Sequence, residues 1–99
     1  MSENNQKNNL NSESEKCPLP AVTFSTFVLS LASSALVALG EVADPQNEQI
    51  SEDLLAAKHT IDVLGMLREK TEKNLDSEEE QLIDGVLYEL RMKYIIKSK

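Results

Sequence analysis

The stretch KTEKNLDSEEE, residues 70–80, decides how this chain folds. Before it, Leu54, Ala57, Ile61, Leu64 and Leu67 recur at the spacing of one helical face. After it, Leu82, Ile83, Val86, Leu87, Leu90 and Tyr94 do the same. Within the stretch lie a helix stop and a helix start. Asn74 tolerates the left-handed geometry of a helix C-cap, and Lys70 and Lys73 complement the negative end of the helix dipole. Asp76 can cap the next helix, with Glu79 completing a capping box and Glu78 and Glu80 favouring its positive end. So short a connection turns the second helix back on the first, with Leu75 as a plug at the turn. The expected fold is therefore all-α, built on an antiparallel helical hairpin.

Upstream of the hairpin, residues 21–39, AVTFSTFVLSLASSALVAL, carry no charge. Thr23 or Ser25 can cap this segment and Gly40 can end it. On a helix, Phe24, Phe27, Val28, Leu31, Ala35 and Leu39 share a face that Leu29 and Leu36 widen, while Thr26, Ser30 and Ser33 lie opposite. The length is near the minimum of about 17 residues for a bilayer span. However, Glu41 and Asp44 follow at once, and neither Lys or Arg flanks nor interfacial Trp or Tyr frame it. A secretory signal wants a short basic region ahead of it, and here the preceding residues are long and polar. We read residues 21–39 as a core helix, with a membrane-tethered protein, anchored by that helix, as the alternative.

Glu41 to Gln49 reads as a loop with a turn at Asp44-Pro45. Ile50 is expected to tuck under the next helix and Ser51 to cap it, with Glu52 and Asp53 in its first turn. That helix should bury Ala56, Ala57, Thr60, Ile61, Val63, Leu64 and Leu67, and Gly65 should admit a neighbouring helix. Arg68–Glu72 and Glu69–Lys73 are expected as pairs along its surface. The three helices are expected over residues 23–39, 51–73 and 77–96. They form one domain over residues 21–99, behind a disordered polar tail and proline linker over residues 1–20, which has almost nothing apolar to bury.

The 99 residues hold 17 acidic and 10 basic side chains, for a net charge of −7. That balance repels phosphate backbones and there is no basic stripe with interleaved aromatics, so nucleic acid is not an expected partner. Arg91, Lys93, Lys97 and Lys99 cluster where a helix ends and suit its dipole. The single cysteine, Cys17, cannot form an internal disulfide, and the single histidine, His59, has only Asp62 at local pairing distance. A metal site wants three or four ligands, and no phosphate loop or nucleophile–base set is legible. The chain reads as non-enzymatic, without cofactor or metal.

One feature exceeds what a small bundle needs. Tyr88, Met92 and Ile95, with Ile96 nearby, form a second apolar row on the third helix, roughly opposite its core stripe. Either the first helix packs on that row, or the row is a surface for another protein or a second copy of the chain. The second reading makes Tyr88, Met92 and Ile95 partner-binding residues and the chain a homo-oligomer or an interaction module.

The ordered words FSTFVLSLASSALVALGEV followed by Asp44-Pro45, DLLAAKHTIDVLGMLREKT, and NL, EE and GVLYELRMKY resemble the small bacterial proteins classed as domain of unknown function 1844. The likeness runs from Phe24 to Tyr94. That family usually carries glycine ahead of the Asn-Leu pair, where this chain has Lys73, so the left-handed residue is expected to be Asn74. The resemblance implies a cytoplasmic, helical, bacterial protein and brings no activity, cofactor or catalytic residue.

Overall fold

The computed structural model describes residue 19 and residues 21–99. The tail expected to be disordered, residues 1–20, lies outside the described residues but for Leu19. The described residues form three helices and no strand: α1 (Phe24–Ala38), α2 (Leu54–Lys70) and α3 (Ser77–Lys97). Each helix packs against the other two. They enclose one core of Val28, Ala32, Ala35 and Leu39 from α1 and its cap, Ala57, Ile61 and Leu64 from α2, and Ile83, Leu87 and Leu90 from α3. The all-α expectation holds.

Thr23 starts α1. Its hydroxyl accepts from the Thr26 N–H at 3.0 Å while the Thr26 hydroxyl accepts from the Thr23 N–H at 3.1 Å, a capping box built from two threonines. The helix ends as expected at Gly40, whose φ of 78° is open to a residue without a Cβ. Its N–H donates to Val37 C=O and the Glu41 N–H to Leu36 C=O, both at 3.0 Å, which is the paired closure of a Schellman motif. The buried arc is narrower than expected. Val28, Ala32, Ala35 and Leu39 follow an i, i+4, i+7, i+11 line, and Phe27, roughly 100° away from Val28 on the wheel, is left half exposed. With 15 residues, α1 falls short of the bilayer minimum of about 17, and no described helix is long and apolar enough to cross a membrane. Its apolar arc faces α2 and α3 instead, which argues against the membrane-tethered alternative.

The cap of α2 lies two residues later than expected. Asp53, not Ser51, is the cap, its Oδ1 accepting from the Ala56 N–H at 3.1 Å. The reason is an anchor distant in sequence: the Asp53 N–H donates at 2.8 Å to Ala38 C=O, one of the carbonyls left free at the end of α1. The chain reaches helical geometry only past that anchor, so Ile50 stays exposed rather than tucked beneath the helix. Ala57, Ile61 and Leu64 are buried as expected, whereas Ala56 faces solvent.

The turn that follows corrects a second expectation. α2 ends at Lys70 with Thr71 as its cap, and the left-handed residue is Lys73, at φ 70°, not Asn74. The Asn74 N–H donates to Thr71 C=O at 2.9 Å, closing a four-residue turn whose third position needs positive φ. Lys73 occupies that position. Leu75 is half-buried against the core, as a plug should be. Asp76 then caps α3 as expected: its Oδ1 accepts from the Glu79 N–H at 2.8 Å and Glu79 Oε1 accepts from the Asp76 N–H at 3.0 Å.

Between α2 and α3, Arg68 lies against Glu80 and Asp84, Gly65 against Arg91, and Ile61 beside Tyr94 and Ile95. Gly65 admits a side chain and not a helix backbone, since a Cβ there would sit 3.0 Å from the Arg91 guanidinium. Arg68 leaves the expected Glu72 pairing for two carboxylates on α3, because its side chain is carried over the interhelical seam.

Candidate functional site

The core stripe of α3 consumes Ile83, Leu87 and Leu90, with Leu82, Val86 and Tyr94 partly packed. At 3.6 residues per turn this leaves Tyr88, Met92 and Ile95 on the far side of the helix. α1 packs on the inner side, and among the described residues none buries this row: Tyr88 is 67% exposed, Met92 47%, Ile95 54% and the neighbouring Ile96 64%. Of the two accounts of this row, packing by the first helix is excluded. Four large apolar side chains thus stand exposed on two turns and a half of helix.

Gly85 extends the same face by one turn, and sequence reasoning did not single it out. A Cβ built there meets nothing within 4 Å. A mid-helix glycine costs about 1 kcal/mol against alanine, and no neighbour within the fold requires it. The signal was legible in spacing: Gly85, Tyr88, Met92 and Ile95 stand at i, i+3, i+7 and i+10, the seam spacing of packed helices.

Charged pairs border the face on both sides. Toward α2, Arg68 Nε donates to Asp84 Oδ1 at 2.7 Å and its terminal nitrogen donates to Glu80 Oε2 at 3.2 Å. The Asp84 hydrogen bond holds the guanidinium above its ordinary pKa, so it stays charged. Toward the end of α1, Glu41 receives Lys93 at 3.7 Å and Lys97 at 3.5 Å, and Lys97 also meets Glu52 at 3.6 Å. The expected basic cluster thus has a second task beyond the dipole, fastening the last turns of α3 to the connection between α1 and α2. The exposed apolar row is thus bordered on both sides by charged pairs.

A hollow of about 220 Å³ continues the patch toward α2, lined by Lys58, Ile61, Asp62, Arg91, Tyr94 and Ile95. Asp62 is engaged by Lys58 at 3.0 Å, not by His59, and that bond raises the Lys58 pKa. His59 is exposed. Among the described residues no group of three or more His, Cys, Asp or Glu side chains is placed to hold a metal ion. Cys17 lies outside the described residues. A larger cleft, about 580 Å³, lies between α1 and the following loop, lined by Ser33, Ser34, Leu36, Val37 and residues 42–46. Its one titratable lining group, Asp44, uses Oδ1 to accept from the Gln46 N–H at 2.8 Å, which shapes the turn at Pro45.

No curated protein and no solved structure matches the chain. A family model does, over residues 21–96, a span that takes in α1, α2 and all of α3 except Lys97. The resemblance in the ordered words of the sequence is thereby upheld, and the chain belongs to the family described as domain of unknown function, DUF1844.

Proposed function

We propose that this chain is a non-enzymatic helical interaction module whose binding surface is the outer face of α3. One observation carries the reading: Tyr88, Met92, Ile95 and Ile96 are left uncovered on one face by a bundle that has already filled its core with other side chains. Keeping such a row in water is unfavourable by roughly 25 cal/mol per Å² of apolar surface, and a partner recovers that energy. Aromatic and methionine side chains at the centre of a charged border are also the residue types that interface centres favour. The proposed setting is the bacterial cytoplasm, in keeping with what the family resemblance implies.

The test is the size of the assembly formed in the native cell. Tagged full-length chain in extract of its own host should sediment as a species heavier than one chain. Met92→Glu, which places a charge at the centre of the row without touching the core, should return it to the free species. Identical sedimentation of the two proteins would overturn the proposal.

A further inference from the structure

We infer that the outer face of α3 pairs with the same face of a second copy of this chain, the two α3 helices running antiparallel across a two-fold axis. The inference rests on the interaction-module reading and names the partner. An exposed apolar row alone does not choose a partner; two further features of α3 do.

The first is a complementary shape on one face. Gly85 leaves open space where a side chain would stand, and ten residues on, Ile95 projects a branched side chain from the same face. Set antiparallel, two copies can place Ile95 of each over Gly85 of the other. That register puts Tyr88 opposite Met92, again in both directions, so the thioether meets the edge of an aromatic ring, a favourable contact. It also puts Gln81 opposite Lys99. Every contact then occurs twice, as an isologous interface requires. Parallel pairing would set Ile95 against Ile95 and leave the space over both glycines unfilled.

The second feature is charge. The start of α3 carries Glu78, Glu79, Glu80 and Asp84, and its end carries Arg91, Lys93 and Lys97, followed by Lys99. In this antiparallel register Glu80 and Asp84 of one copy come within one residue of the level of Lys99 and Lys97 of the other, while Glu78 and Glu79 lie past its last residue. Parallel pairing brings like charges together, which costs affinity and selects against that arrangement. Shape and charge favour the same orientation independently.

The experiment uses the full chain with Cys17→Ser, so that introduced cysteines are the only thiols. Sedimentation equilibrium at micromolar concentration should give twice the chain mass of 11.0 kDa, and Met92→Glu should give the single mass with unchanged helical circular dichroism. Gly85→Leu should weaken the dimer at least tenfold without loss of helicity, because it fills the space that Ile95 of the second copy enters. Under mild oxidation a mixture of Gly85→Cys chains and Ile95→Cys chains should cross-link, while either variant alone should not. Cross-linking of each variant with itself, and not in the mixture, would overturn the antiparallel register. A single-chain mass at every concentration would overturn the second copy as partner. In that case an assembly in extract that still depends on Met92 would leave the interaction reading standing, with a different protein on the face.

Discussion

Arg68 on α2 donates its Nε–H to Asp84 on α3 across 2.7 Å while its terminal nitrogen reaches Glu80, one turn of α3 earlier, at 3.2 Å. One guanidinium thus reads two successive turns of the neighbouring helix and opposes any sliding along the seam. Arginine suits this task because its donors stand in a fixed fork, which lysine lacks. Arg68→Lys should lower the denaturation midpoint, and Arg68→Ala should lower it further. Arg68→Ala and Asp84→Ala should be non-additive in a double-mutant cycle, with the coupling shrinking in roughly 1 M salt, where the Debye length falls to about 3 Å. Additive losses insensitive to salt would show that the pair contributes nothing to fastening the helices.

At the other end of the same turn, Asp76 and Glu79 satisfy one another's backbone N–H groups at 2.8 and 3.0 Å. Asp76→Ala removes the cap and one half of the box, and should cost about 0.5–2 kcal/mol in chemical denaturation. Asp76→Asn keeps an acceptor and should cost less. An unchanged midpoint for Asp76→Ala would mean that Ser77 takes over the cap.

These cases show what a sequence can disclose and what it cannot. The Asp76 box was legible because both partners lie within four residues, and the chemistry of each fixes what it can do for the other. The same local logic nominated Ser51 as the cap of α2 and failed. That choice is made by Ala38 C=O holding the Asp53 N–H, a contact fifteen residues apart in sequence that exists only once α1 has packed. Arg68 defeated the reading for the same reason, since an i, i+4 partner is visible in sequence and a partner on another helix is not. The candidate face was half legible. The surplus of Tyr88, Met92 and Ile95 could be counted, but whether α1 covered it depended on which arc of α1 is buried. Gly85 carried its signal in spacing to that row, and only open space around it gave the spacing a meaning.

Lys73 supplies a prediction of opposite sign. It holds φ at 70°, a conformation that costs a side-chain-bearing residue roughly 1–2 kcal/mol and glycine almost nothing. Lys73→Gly should therefore stabilise the chain by about 0.5–1 kcal/mol, the gain reduced by the extra freedom glycine has when unfolded. Asn74→Gly should bring no such gain, because the left-handed residue is its neighbour. A loss of stability in Lys73→Gly would show that the lysine side chain does something in that turn which outweighs its backbone strain.

The glycines at 40 and 85 should respond in opposite ways to the same substitution. Gly40 has φ 78° and a Cβ there would sit 2.9 Å from the Cγ of Glu52, whose carboxylate is held by Lys97. Gly40→Ala therefore brings a strained backbone and a clash together, and should cost about 1–3 kcal/mol. It should also loosen the last turn of α3, because moving Glu52 disturbs its pairing with Lys97. Gly85→Ala meets open space on a regular helix, and should raise the stability of the single chain by up to about 1 kcal/mol. The measurement is equilibrium denaturation of both variants at a concentration where sedimentation shows single chains. Hydrogen exchange at Tyr94, Ile95 and Ile96 reports on the end of α3. A loss of stability in Gly85→Ala under those conditions would mean that the glycine serves the fold of one chain, and that its open space is not kept for a neighbour.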